Sequence, residues 1–433
     1  MKIAIAFGWG LGNIGDIAIT PGMLTTLEKD FPCAEINLIS IYGDGSVDFE
    51  EFKQYTLKHN PKCKVWPNPF MDFMSDDEVT SWLNIATITA RPARFLRALF
   101  LGDSDFGAMF LTTDLLFLNS GMMLSFNRMG TSGALGFLIS LWIPLIVARE
   151  LGIPYVLWGQ SCGPFDAPAD DLAAKILKDA LYVTTRETES LDLIRRMGVP
   201  ERDSAFGPDT TVEFAIRDDK FAAEYMQRHE LENNQFAIFI LRSTAWWNKL
   251  VEPERLQKHM NFLACGIEHC VKELDLKVVV APECEHEIAT ANEHLMPLLS
   301  AESTQKTVLM DQFWKPEEAK GLYRQAMVVS SMELHSILLA VPEGTPVVHP
   351  YFKEMGPKTF ALRDFDLEDF LINIDEGKTE DYCDMFTRIK KNNVKERARV
   401  KSGSDKFHNA VKTGMQEVKK RHEKLRKQEL NPF

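Results

Sequence analysis

The chain has 433 residues, 45% of them hydrophobic and 26% charged, with a formal net charge of -13. Such a length exceeds an ordinary single domain and predicts two, each large enough for its own core. The negative balance excludes a nucleic-acid partner for the body of the chain, because a phosphate polyanion needs a basic surface, and seven scattered cysteines without a C-x-x-C pair exclude a disulfide framework or zinc knuckle.

The first residues, "MKIAIAFGWG", read as a short buried strand with no positive region ahead of a long apolar stretch. No secretory leader is expected, and with the cysteine usage this predicts a cytoplasmic location. "KIAIAF", "ITPGMLTTLEKDF" and "EINLISI" then alternate strand-like and helix-like patterns. The first junction, "FGWGLGNIGDIAITPG", contains G-x-G-x-x-G as Gly10, Gly12 and Gly15. A dinucleotide site would add an acidic residue closing the second strand. Glu35 precedes that strand and Asp44 follows too late, so no nicotinamide or flavin cofactor is expected. The glycines let backbone amides approach a ligand or simply form the turn, and Asn13 and Asp16 offer hydrogen bonds to the hydroxyls of an acceptor.

Further on, "GALGFLISLWIPLIVA" (133–148) is too short to span a bilayer and contains Pro144, which predicts a buried helix. "PYVLWGQ" and "LYVTTR" are strands flanking the helix-like "DDLAAKILKDA". "VLWGQSCGPFDAP" places Gln160 and Ser161 in a tight polar loop, with Cys162 as a small buried filler. Arg186 closes a strand, where a guanidinium either grips a carboxylate or phosphate with two prongs or pairs with Glu187 or Glu189. Asp209, after Gly207-Pro208, faces the acceptor or serves a turn.

Polar sequence over 215–235 separates a first domain, 1–215, from a second, 235–375. The second series comprises "FAIFILR", "LKVVVAP", "KTVLMD", "AMVVSS" and "TPVVHPY", so the expected fold is α/β, two doubly wound Rossmann-like units facing a cleft. Ligands of such folds sit at the carboxyl ends of the strands. Arg242 stands at one of these ends, followed by Trp246 and Trp247, which stack on a sugar or merely pack. "APECEHEI" reads as an exposed acidic loop rather than a metal site, and no metal or cofactor is called for. "SSMELHSILLAV" opens a helix that buries Leu334, Ile337, Leu338 and Val341. In it Ser330 and Glu333 fit a capping box, and His335 stands out as a chemical group. The segment 388–433 carries 15 Lys/Arg against 5 Asp/Glu, so the rest of the chain holds about -23. This basic helical tail is expected to lie across the acidic body, with attraction to a membrane surface as the alternative.

In this order the strand-end motifs, G-N-I-G-D, "GQSCGPF", "VTTRETES", "GPDTT", "FILRS" and "SSMELHSILLAVPEGTPVVHPYFKE", resemble the polysaccharide pyruvyl transferase family from residue 1 to about 370. The resemblance implies a GT-B-like fold and transfer of the enolpyruvyl carbons of phosphoenolpyruvate to two hydroxyls of a saccharide. It implies that Arg186, His335 and a lysine after "HPYF", either Lys353 or Lys358, bind the donor or assist its chemistry, with His335 as the proton carrier; Ser331 and Arg242 are further donor-binding candidates and Glu333 a second catalytic one. Asn13, Asp16, Gln160 and Asp209 would face the saccharide acceptor. One position departs from the family pattern S-x-R-L-H, because Glu333 stands where an arginine is expected. An ionised Glu333 about 4 Å from a donor anion would repel it by about 4 kcal/mol at an effective dielectric of 20. Three ways out are a side chain that points elsewhere, compensation by a cation such as Arg242, or a different donor. The last makes the chain a nucleotide-sugar glycosyltransferase or ligase-like enzyme; a non-catalytic saccharide-binding protein is the remaining alternative.

Overall fold

Uninterrupted apolar runs bounded by polar loops make strands covered on both faces. The computed structural model, which describes residues 1–69, 104–126, 133–167, 169–242, 245–246, 249–250 and 253–430, contains two sets of them. The chain divides into two units, Met1–Leu11 with Ile19–Glu213 and Asn409–Phe433, and Gly12–Ala18 with Phe214–His408.

The first unit carries β1 (Lys2–Gly8), β2 (Glu35–Ser40), β3 (Lys64–Trp66), β4 (Leu115–Leu118), β5 (Gly121–Phe126), β6 (Tyr155–Phe165), β7 (Tyr182–Thr185) and β8 (Ser204–Phe206). They form one parallel sheet in the order β3-β2-β1-β4-β6-β7-β8, with β5 paired to β6. The helix Gly133–Glu150 includes Pro144 and buries Leu141, Trp142, Leu145 and Ala148, as expected for a core helix. No described helix is long and apolar enough to cross a membrane.

The second unit has β9 (Phe236–Ile240), the antiparallel ribbon β10 (Ala245–Trp246) and β11 (Lys249–Leu250), then β12 (Lys277–Ala281), β13 (Thr307–Leu309), β14 (Val328–Ser331), β15 (Val347–Tyr351) and β16 (Leu371–Asn373). Trp247, half of the tryptophan pair, lies outside the described residues. The parallel sheet runs β13-β12-β9-β14-β15-β16. Counted from β9 this is the doubly wound order 3-2-1-4-5-6, whose switch point falls between β9 and β14. Every residue from Phe236 to Ile240 is fully buried, as are Val278, Val279, Val328 and Val329.

One side of this sheet is covered by the helix Pro253–Lys272, whose Leu256, Met260, Leu263 and Ile267 recur at helical spacing on its buried face. Gly266 lets the helix Thr379–Lys391 come close: a Cβ there would lie 2.5 Å from Tyr382. Tyr382 cannot move aside, since its hydroxyl is 2.6 Å from Ser330 Oγ in β14. The basic segment continues as the helix Asn393–Leu430. Its Val400, Phe407, Val411, Met415 and Val418 are buried, so its apolar face is already covered. Several of its cations are neutralised at home: Arg399 Nη1 binds Asp369 at 2.9 Å, and Arg421 Nη1 binds Asp203 at 2.7 Å.

This packing predicts that Gly266→Ala destabilises the protein by about 1–2 kcal/mol, because overpacking of 1–3 kcal/mol exceeds the gain in helix propensity. Denaturant titration checks it; a more stable variant would mean that Tyr382 yields.

Candidate active site

The side chains at the β9/β14 switch point build a polar site from the strand ends upward. β9 runs out at Ile240 and places Arg242 just beyond it. β14 ends at Ser331, and Glu333 caps the short helix Leu334–Ala340 that carries His335. The neighbouring strand β12 leads into Glu283. All these residues, with Gly12–Ala18, which holds Asn13 and the first turn of the helix Ile14–Asp30, belong to the second unit.

Glu283 is fully buried and is the centre of the arrangement. Its Oε2 accepts from the Ser336 amide at 2.9 Å and the Ser336 hydroxyl at 2.6 Å. Its Oε1 accepts from Asn13 Nδ2 at 3.2 Å and faces His335 Nδ1 at 3.4 Å. Burial pushes the Glu283 carboxyl up, but His335 and Ser336 outweigh it and hold the group below its ordinary value. The carboxylate thus faces the imidazole on its Nδ1 side, and Nε2 is the ring atom turned away from it. His335 itself retains 15% side-chain exposure.

The glycine-rich loop supplies the opposite wall. Asn13 Oδ1 accepts from the amides of Gly15 and Asp16, at 2.7 and 3.2 Å, and its Nδ2 reaches Glu283 and Cys284. The amide of Ile14 donates to the Glu283 carbonyl at 3.0 Å. Asn13 therefore spends its polar atoms on the first turn of the helix Ile14–Asp30 and on tying it to the end of β12, and Asp16 beside it is half-buried. Gly15 lies against the histidine, where a Cβ would come within 2.1 Å of His335.

Glu333 does not form the expected capping box. Its amide donates to Ser331 Oγ at 2.9 Å and the Ser331 hydroxyl donates to its carbonyl at 2.8 Å, an Asx-like local turn that needs no glutamate side chain. The carboxylate instead binds Arg242 Nη1 at 2.5 Å, with both side chains about a tenth exposed. Burial raises the Glu333 carboxyl, Arg242 pulls it back, and nearby Glu283 adds to the rise, leaving it above the usual value. The acidic loop is likewise not exposed at its ends. Glu287 is buried and takes the amides of Glu283 and Cys284 at 2.7 and 2.9 Å; burial and Glu333 hold it well above the carboxylate range.

Of the two lysines after "HPYF", Lys358 lends its positive charge to Glu333 and His349. Lys353 is well exposed and paired with Glu376. The remaining candidates belong to the first unit. Arg186 is buried there, binding Asp209 Oδ2 and Ser161 Oγ at 2.6 Å each, with Glu187 at 3.7 Å. Asp209 also accepts from the amide and hydroxyl of Thr211. Gln160 is fully buried, accepting from the Met123 amide and donating to the Asn119 carbonyl. Cys162 is buried too, and burial drives its thiol well above its ordinary value. Among the described residues no group of three or more His, Cys, Asp or Glu is arranged to hold a metal.

Sequence reasoning assigned Glu283 to an exposed acidic loop and passed over two histidines. His349, on β15, is fully buried with Nδ1 2.6 Å from the Ser331 carbonyl. A carbonyl only accepts, so Nδ1 carries the proton. His259 Nε2 accepts from the Arg242 amide at 3.2 Å. Burial depresses both rings, His349 to about 4 and His259 to about 3. Below the ordinary value of 6.5 the unfolded chain takes up protons that the folded one refuses, so this stability is full above pH 6.5 and is lost as pH falls. For His349 the loss amounts to roughly 3 kcal/mol between pH 6.5 and 4. The stability gap between wild type and His349→Asn, measured by denaturant titration, should shift by that amount in favour of the variant on acidification; a constant gap contradicts a neutral ring.

No curated protein sequence matches the chain. Among solved structures it is similar to the UDP-GlcNAc 2-epimerase of Neisseria meningitidis bound to UDP-GlcNAc, at 11% identity and a TM-score of 0.57 over 97% of this chain and 100% of that one. A putative UDP-N-acetylglucosamine 2-epimerase from Listeria monocytogenes gives 10%, 0.61, and 96% of each chain. Anabaena HepE in complex with UDP-glucose gives 12%, 0.57, and 97% and 98%. These likenesses establish the fold, two doubly wound α/β units of GT-B type. Over residues 13–349, a span that takes in Asn13, Gly15, Glu283, Arg242, Glu333 and His335, the sequence matches the family described as polysaccharide pyruvyl transferase, and the chain belongs to that family.

Proposed function

We propose that the protein transfers the enolpyruvyl carbons of phosphoenolpyruvate to two hydroxyls of a saccharide, giving a pyruvate ketal and inorganic phosphate. The observation that carries this reading is the His335–Glu283 pair at the switch point, with a buried carboxylate 3.4 Å from one ring nitrogen. Ketal formation needs a proton on the methylene carbon while positive charge develops at the carbon bearing the phosphate. A histidine held in one orientation is suited to deliver that proton and to take the hydroxyl proton of the acceptor. The first hydroxyl adds to the activated carbon, the carbon–oxygen bond to phosphate breaks, and the second hydroxyl closes the ketal. One of the two hydroxyl protons balances the new methyl group and the other leaves with phosphate. Arg242 and Lys358 are the cations that would hold the carboxylate and phosphate of the donor.

A second reading, a donor other than phosphoenolpyruvate, is favoured by the Arg242–Glu333 pair, which commits a cation of the site to a carboxylate of the protein. The donor is tested by thermal shift. Stabilisation by millimolar phosphoenolpyruvate supports the first reading, and stabilisation by a UDP-sugar alone supports the second.

Under the first reading, His335→Ala abolishes phosphate release from phosphoenolpyruvate in the presence of a saccharide panel, and Glu283→Gln lowers kcat by about 10²–10⁴-fold. Gly15→Ala, which drives a methyl group into His335, loses activity with phosphoenolpyruvate binding retained. Full turnover by the Gly15 variant would sever the loop from the chemistry.

A further inference from the structure

Glu333 and Arg242 pair at 2.5 Å beside the point where donor anions are expected, and the groups around them are unevenly charged. Facing Glu333 are Arg242 from the β9 end, Glu283, Cys284 and Glu287 from the β12 loop, His335 from its own helix, and Lys358 from the segment Pro357–Phe360. Arg242 in turn faces the buried rings of His259 and His349 and the ring of His286. A donor carboxylate or phosphate makes the same demand on the guanidinium that Glu333 already satisfies. Glu333 holds the guanidinium through Nη1, so a donor anion that takes Nη1 together with a second N–H, the two-pronged grip typical of arginine, competes with it for that contact.

If Arg242 turns to the donor, Glu333 is left with two buried carboxyl groups near it, Glu283 and Glu287. A buried charge stripped of its partner neutralises itself. Lys358 remains, but the arriving donor brings at least two negative groups that compete for it. The direction in which Glu333 is already displaced, toward its neutral form by burial and by Glu283, agrees with that outcome.

We infer that Glu333 is a specificity-determining placeholder, whose carboxylate occupies the donor's anion position on Arg242 in the free enzyme and takes up one proton when the donor displaces it. Only ligands whose anionic group outcompetes an internal carboxylate are then admitted, and donor affinity is tied to pH. The inference rests on the reading that the donor is phosphoenolpyruvate.

Calorimetric titration with phosphoenolpyruvate from pH 8 to 6, in buffers of different ionisation enthalpy, tests it on wild type and Glu333→Gln. The ligand's own phosphate titrates alike in both, so the difference between the proteins is what counts. Wild type should take up about one proton more than the variant. Its Kd should tighten by up to about tenfold more for each unit of pH lowered, and the variant should bind more tightly at pH 8. Melting temperatures establish that the variant is folded, and Glu333→Ala serves if it is not. Equal proton uptake with parallel pH dependence, or weaker binding by a folded variant, overturns the placeholder and leaves the donor reading intact. Absence of phosphoenolpyruvate binding in both proteins across the range overturns the donor reading and the placeholder with it.

Discussion

A carboxylate with no exposure to water has to be satisfied on every side or it would not remain ionised, and Glu283 is such a group. Its oxygens and carbonyl collect Ser336, His335, Asn13 and the Ile14 amide. Three stretches far apart in sequence are thereby tied to one point: the glycine-rich loop, the end of β12 and the start of the helix after β14. Leaving a buried polar group without its hydrogen bond costs about 1–3 kcal/mol, so none of these stretches can drift without a comparable penalty. The placement of the His335 ring is a by-product of satisfying that one carboxylate.

Sheet order decides where the carboxylate is spent. In the sequence β13-β12-β9-β14-β15-β16 the connections from β9 and β14 leave to opposite sides, and their carboxyl ends splay apart. Arg242 comes from one of those ends and Glu333 with His335 from the other, while β12 and β15 contribute Glu283 and His349 from the flanks. Three strand ends and the middle of β15 thus furnish a cation, carboxyls and imidazoles without any long loop having to fold over them. The core beneath reaches the same place: Ser330, one residue before Ser331, is bonded to Tyr382, which the helix Pro253–Lys272 holds through Gly266.

Much of this was legible in the sequence, and the parts that were not share a cause. The strands announced themselves because a parallel sheet buried on both faces has to be written in Val, Ile and Phe. His335 stood out because a polar ring in an apolar run needs a reason. "APECEHEI" misled, since three glutamates and a histidine within five residues look like solvent-facing sequence; only the partners of Glu283 and Glu287, one of them 53 residues away, reveal that the two are buried. Ser330 and Glu333 fit the spacing of a capping box, but an arginine brought in by another strand outbid the backbone amide. Asn13 shows the same limit from the other side, for its amide looked free for a ligand until the fold supplied Glu283 and Cys284.

The glycine-rich loop carries a last lesson. A G-x-G-x-x-G stretch after a first strand is usually read as room for a nucleotide phosphate, yet at Gly15 the missing side chain is the impression left by an imidazole from another part of the chain. Gly15 and His335 are therefore not independent letters of the sequence. Among relatives of this chain, one that exchanges the histidine for a smaller residue gains space for a larger one at the glycine, whereas one that keeps the histidine is bound to keep the glycine. The two positions are expected to vary as a couple, 320 residues apart.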